Sequence, residues 1–125
     1  MREIKFRGKT PEGKWVYGGI SINYDKVWID QDYYGNTFVD KDTIGQYTGL
    51  KDKNRKEIYE GDIVFCQTKF GKAKAIIEFI NDKFVAYWDS AITHPKNGHV
   101  IACYEINKRF EVIGNIYDNP ELLNY

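Results

Sequence analysis

At 125 residues the chain is the size of one ordinary domain, with room for a real core. Its 18 Lys and Arg balance its 18 Asp and Glu, which excludes a global field drawing it to nucleic acid or an anionic membrane and leaves only local patches. No apolar run approaches the ~20 residues of a membrane span, and Met1 to Arg7 alternates charged and apolar residues where a signal peptide would be unbroken grease. The expectation is a cytoplasmic protein with no membrane partner. Its two cysteines, Cys66 and Cys103, are expected to sit reduced in the core.

Seven Phe, ten Tyr and three Trp point to a β-rich fold, because these residues suit half-buried pleated surfaces. Ile4, Phe6, Trp15 and Tyr17 alternate with polar or small neighbours on either side of Gly8 to Gly13, which predicts an N-terminal hairpin. Gly18 and Gly19 should bend or bulge its second strand. Val27-Trp28-Ile29 predicts a short strand, and Asp30 to Asn36 an exposed loop. Phe38-Val39 and Thr43-Ile44 return as apolar pairs around Asp40-Lys41-Asp42. From Thr43 the pattern predicts a crossing segment, a tight turn at Asn54-Arg55 and a further strand to Tyr59.

After Gly61-Asp62 the pattern is plainest. Ile63 to Cys66, Ala73 to Ile80 and Lys83 to Trp88 alternate around short turn signals and predict a three-stranded meander. A less regular stretch, Asp89 to Ala102, precedes Cys103 to Ile106 and a last strand, Phe110 to Ile116. Five short strands after a Gly-Asp entry predict a small SH3-like barrel. Its core should draw on Ile63, Phe65, Ile77, Phe79, Phe84, Ala86, Val112 and Ile113. Asn119-Pro120-Glu121 reads as an N-cap, a proline at the first helical position and an acid in the first turn, closing the chain with a short helical turn.

Four blocks, REIKFRGK, GKWVYGGI, IGQYTGLKDKNRKEIYEGDIV and FEVIGNIYDNPELL, together resemble the YopX family of bacteriophage and prophage proteins. The resemblance implies a phage-encoded or prophage-encoded protein of the bacterial cytoplasm, mainly β, with an SH3-like barrel in its second half. It supplies no catalytic or ligand residues to carry over. Combined with the strand pattern, it gives one domain over residues 1–125: a β-rich lobe at 1–56, the barrel at 57–117 and a helical turn at 118–125. Where the family usually has Lys-Asn-Gly-Lys in the central turn, this chain has Lys53-Asn54-Arg55-Lys56, so the turn is either looser or strained.

Chemistry-bearing clusters are sparse. Cys66, His94, His99 and Cys103 supply the ligand types of a zinc site, but no cysteine pair has the usual spacing. Asp30, Asp32, Asp40 and Asp42 crowd one region, as carboxylates do around a divalent cation in a metal-dependent hydrolase, and equally as a solvated loop does. There is no P-loop, dinucleotide fingerprint or nucleophile elbow, so no cofactor is expected and catalysis is not the favoured reading. Lysines and arginines cluster at Arg2, Lys5, Arg7 and Lys9, at Lys51, Lys53, Arg55 and Lys56, and at Lys69, Lys72 and Lys74. If the hairpin tips that carry these clusters converge, with Tyr47, Phe70 or Tyr87 as stacking surface, they suit nucleic acid. Trp28, Tyr33, Tyr34 and Trp88 suit a protein partner, either a second copy in a homo-oligomer or a host or phage protein. The leading expectation is a non-enzymatic interaction or self-assembling module, with a nucleic-acid-associated accessory protein as the alternative.

Overall fold

The computed structural model describes residues 3–32, 34–68, 71–80, 82–90, 94–102 and 109–123, by backbone alone at 67, 68, 80, 87–90 and 94–102. Its elements are β1 (Phe6–Lys9), β2 (Trp15–Asn23), β3 (Lys26–Gln31), β4 (Gly35–Lys51), β5 (Glu57–Tyr59), β6 (Asp62–Thr68), β7 (Gly71–Ile80), β8 (Lys83–Ser90), β9 (His94–Ala102), β10 (Phe110–Asn115) and a 3-10 turn at Pro120–Leu123. The strands form two antiparallel five-stranded sheets, β1-β2-β3-β4-β5 and β10-β6-β7-β8-β9. The chain divides into two compact units, Met1–Gly49 and Leu50–Tyr125.

In the first unit β1, β2, β3 and β4 pair in a closed cycle, because β1 also pairs with β4. Two long strands each serve two partners. β2 pairs with β1 up to Gly18 and with β3 from Gly19 onward. The bend expected at this glycine pair is a strand corner, and Gly18 is required there by contact: a Cβ would lie 1.9 Å from the Asp30 carbonyl oxygen. β4 pairs through Gly35–Val39 with β3 and through Asp40–Gln46 with β1. Within the second half the register shifts, between the pairs Arg7↔Gly45 and Lys9↔Asp40. The Thr43 hydroxyl donates to the Asp40 carbonyl at 2.6 Å and accepts from the Lys9 amide at 2.8 Å, occupying the gap.

That irregularity explains why Phe38-Val39 and Thr43-Ile44 read as separate pieces and why the continuation past Thr43 read as a crossing segment. They belong to one strand of 17 residues. The loop expected over Asp30 to Asn36 shrinks to a hairpin tip, since Asp30 and Gln31 end β3 and Gly35 and Asn36 begin β4. Val16, Val27, Ile29 and Val39 fill the interior, with Phe6, Ile20 and Ile44 packed against them.

In the second unit β6, β7, β8 and β9 form a meander, and β10 returns to pair with β6. The meander expected over Ile63 to Trp88 and the last strand are present, with His94–Ala102 as the fourth strand, while the strand expected at Cys103 to Ile106 lies outside the described residues. One face, with Val64, Cys66, Ala75, Ile77, Phe84, Ala86 and Phe110, packs with Ile58 into the core. Ile63 and Val85 are buried as well. Of the expected core, Ile63, Ile77, Phe84 and Ala86 are buried, while Phe65, Val112 and Ile113 are half-buried. Phe79 differs. It lies on the core side of β7 but one pair from the hairpin end, where its ring meets Phe84 at 4.9 Å between centroids and remains 48% exposed.

The stretch from Asp89 to Ala102, read as irregular, contains strand β9, paired with β8 from Val85↔Ala102 to Ser90↔His94. Pro95 and Gly98 break the sequence signal, and both fall where the register shifts between Trp88↔His99 and Ser90↔His94, an irregularity that accepts a proline and a glycine. The terminal turn also differs in detail. Asn119 does not cap it by its side chain: its Oδ1 accepts from the Asn115 amide at 3.2 Å, and the Asn119 carbonyl accepts from Leu122 N–H.

Candidate interaction surfaces

The β4–β5 hairpin in the second unit is built around one buried carboxylate. Asp52, 6% exposed, accepts through Oδ1 from the amides of Asn54 (2.8 Å) and Lys56 (2.9 Å), and through Oδ2 from the amide of Val112 on β10 (2.9 Å). Its own amide donates to the Lys56 carbonyl, the Arg55 amide donates to the Asp52 carbonyl, and the Lys53 amide donates to Phe110. The result is a three-residue loop, a type I turn followed by a residue in the left-handed region. That residue is Arg55, with φ of 66°. Of the two alternatives the sequence left for this turn, the strained one holds.

Around this staple the side chains of Lys51, Lys53, Arg55 and Lys56 are exposed. Lys53 Nζ lies 3.8 Å from Glu111 Oε1 across an open pair. A second buried aspartate sits at the other end of β5: Asp62, 2% exposed, accepts from the Tyr59 amide at 2.8 Å. Both acids take backbone amides.

In the first unit the side chains of β2, β3 and β4 alternate between the interior and an outer face. Ser21, Trp28 and Phe38 form one outward row by register. Trp28 and Phe38 meet edge to face, with centroids 5.9 Å apart, and Phe38 remains 43% exposed. Asp30 and Asn36 form the adjacent row. Tyr34 and Tyr24 stand at the two hairpin tips, 84% and 95% exposed, and Tyr24 holds φ of 57°. Residues 25–42 carry five aspartates and two lysines, all seven exposed, so the aromatic row lies in an acidic setting.

The N-terminal cations, by contrast, lie over aromatic rings. Lys5 Nζ is 5.2 Å from the Tyr47 ring centre, and Arg7 and Lys9 lie 4.7 and 5.7 Å from that of Trp15. Tyr47 itself is buried at 4% exposure and offers no open stacking face. Asp30, Asp32, Asp40 and Asp42 do not converge; Asp40 Oδ1 instead accepts from the Asp42 amide at 3.0 Å. Among the described residues no three His, Cys, Asp or Glu side chains gather to hold a metal ion. Cys66 is buried, and desolvation pushes its thiol pKa up, with the positive field of Arg109 opposing. The side chains of Tyr87, Trp88, His94 and His99, and Tyr33, Phe70 and Cys103 altogether, lie outside the described residues.

Sequence reasoning did not single out Phe38 or Tyr24 as site residues, and it weighed Asp52 only as the start of a calcium loop that the missing glycine and the intruding cations rule out. Phe38 was accessible from alternation, since an inward Val39 turns its neighbour outward. Tyr24 sits in the two-residue gap between two apolar runs. Nothing in the spacing marks Asp52 as the acceptor for an amide of β10.

The YopX protein family model matches residues 5–124. The chain belongs to the YopX family. A crystal structure of protein EF1440 from Enterococcus faecalis is similar to this YopX chain in fold, with a TM-score of 0.59 and 24% identity, covering 99% of this chain and 100% of that one. No curated protein matches the sequence. Among the described residues no helix is long and apolar enough to cross a membrane.

Proposed function

We propose that this YopX protein is a phage- or prophage-encoded accessory protein of the bacterial cytoplasm that acts as a non-enzymatic protein-interaction module. The observation carrying this reading is the outward Trp28–Phe38 pair, set among the exposed acids of residues 25–42. Aromatic anchors contribute disproportionately to protein interfaces, and an acidic surround selects a partner surface bearing lysine and arginine. The reading therefore commits to a basic protein partner.

Two measurements test it. Capture from nuclease-treated bacterial lysate should retain basic proteins on the wild type that are lost on Trp28→Ala and Phe38→Ser variants, with affinity lower by tenfold or more. Identical retention by the variants overturns the reading. Light scattering across a concentration series reads self-association directly, and a dimer abolished by Phe38→Ser would replace the basic partner with a second copy.

A further inference from the structure

We infer that the β4–β5 turn is a preformed contact for the phosphodiester backbone of nucleic acid, with Arg55 as its central group. Four cations fall within the six residues Lys51–Lys56, and all four are exposed. The one acid among them, Asp52, is turned inward and engaged by three backbone amides. That staple holds the loop backbone in place, so little conformational freedom is lost when the cations meet an anion.

Residue 55 is the informative position. At φ of 66° a glycine is unstrained, whereas a side chain there is disfavoured by sterics. A strained residue at a surface turn directs attention to what its side chain contributes, and a guanidinium contributes a planar fork that pairs bidentately with phosphate. Lys53 can exchange its open partner Glu111 for a phosphate at little cost, because exposed ion pairs are weak.

The ligand class follows from what the turn lacks. Lys51, Asp52, Lys53, Asn54, Arg55 and Lys56 include no apolar side chain, so a protein partner would find no apolar core to bury there. A nucleic-acid backbone needs none, since its affinity comes from neutralised phosphates and released counterions.

The test uses the full chain and fluorescence anisotropy with labelled single-stranded and duplex DNA of roughly 20 nucleotides, between about 50 and 200 mM salt. Four phosphate contacts on a duplex predict a log–log salt slope near −3.6, reduced by about 0.9 for each cation removed. Arg55→Gly should bind about tenfold more weakly while melting about 2–4 °C higher. Opposite signs in one variant separate a ligand contact from a structural residue. Lys53→Gln with Lys56→Gln, which leaves the backbone conformation alone, should lower affinity and slope together.

Unchanged DNA affinity in Arg55→Gly overturns the inference, as does a lowered melting temperature for that variant or the absence of measurable binding at the lowest salt. Equal competition by polyglutamate, residue for phosphate, would replace nucleic acid with anions in general and overturn the assigned class. Trp28→Ala should leave DNA affinity unchanged, so failure of this site and failure of the protein-docking face are read separately.

Discussion

Replacing Asp52 tests whether the central block of the family sequence is a structural staple. Asp52→Ala removes the acceptor for three amides at once, those of Asn54, Lys56 and Val112. A hydrogen bond to a charged acceptor is worth about 1.5–3 kcal/mol when its partner is left stranded. Asn54 and Lys56 are exposed residues whose amides can turn to water, so each is counted at about 0.5–1 kcal/mol. The Val112 amide belongs to a half-buried residue of β10 and is counted at about 1.5–2 kcal/mol. The total is about 3 kcal/mol. For a chain of this size that corresponds to roughly 10 °C in melting temperature. Asp52→Asn keeps one oxygen for the turn but sets an amide donor against the Val112 donor or leaves the turn unpaired, a loss of about 2 kcal/mol. Urea unfolding followed by far-UV circular dichroism measures both. An Asp52→Ala loss below about 1 kcal/mol at unchanged denaturant slope would refute the staple.

Gly18→Ala places a Cβ 1.9 Å from the Asp30 carbonyl oxygen, with β3 backbone and no flexible side chain in the way, so soluble expression should fall sharply or unfolding free energy should drop by more than ~4 kcal/mol. Phe84→Ala should cost about 3–5 kcal/mol, whereas Phe79→Ser, at a ring 48% exposed, should cost about 1 kcal/mol or less in the same urea assay. Burial raises the Cys66 thiol pKa, so the folded thiol holds its proton more tightly than the unfolded one. Its contribution to stability is full below the unfolded-state value of about 8.5 and is lost as pH rises toward the folded value. Cys66→Ala should flatten that alkaline loss in a pH series of urea midpoints. Iodoacetamide labelling at neutral pH, read on the Cys66 peptide by mass spectrometry, should proceed only at the rate of unfolding.

The hairpins were legible because two-residue periodicity and turn chemistry agree at those places: Phe6 against Gly18, Ile76 against Tyr87, Ile80 against Lys83. What failed to show was continuity. β4 changes partner at Asp40, and the residues that bridge the register shift, Asp40 to Thr43, are polar because their hydroxyl and carbonyl groups bond each other across the gap. A pattern search sees a loop where the chain remains extended. β9 was hidden for a different reason, since Pro95 and Gly98 fall where its register against β8 shifts, between the pairs Trp88↔His99 and Ser90↔His94, and a bulge tolerates both residues. Phe79 misled because alternation assigns a face and says nothing of distance from the end of the sheet.

The site residues divide along the same physical line. The block from Ile44 to Val64 is distinctive enough to carry a family resemblance, and the structure spends that distinctiveness on folding. Asp52 and Asp62 take amides on either side of β5, and Ile58 and Tyr59 between them are buried. Such residues are restricted because buried carboxylates and turn glycines have few substitutes, so they report fold faithfully and function poorly. Function-bearing side chains answer to a partner absent from the chain's own packing. The two surfaces proposed for this chain accordingly rest on residues poorly explained by their own fold: an outward aromatic pair at Trp28 and Phe38, and an arginine at a turn position where glycine would be at ease.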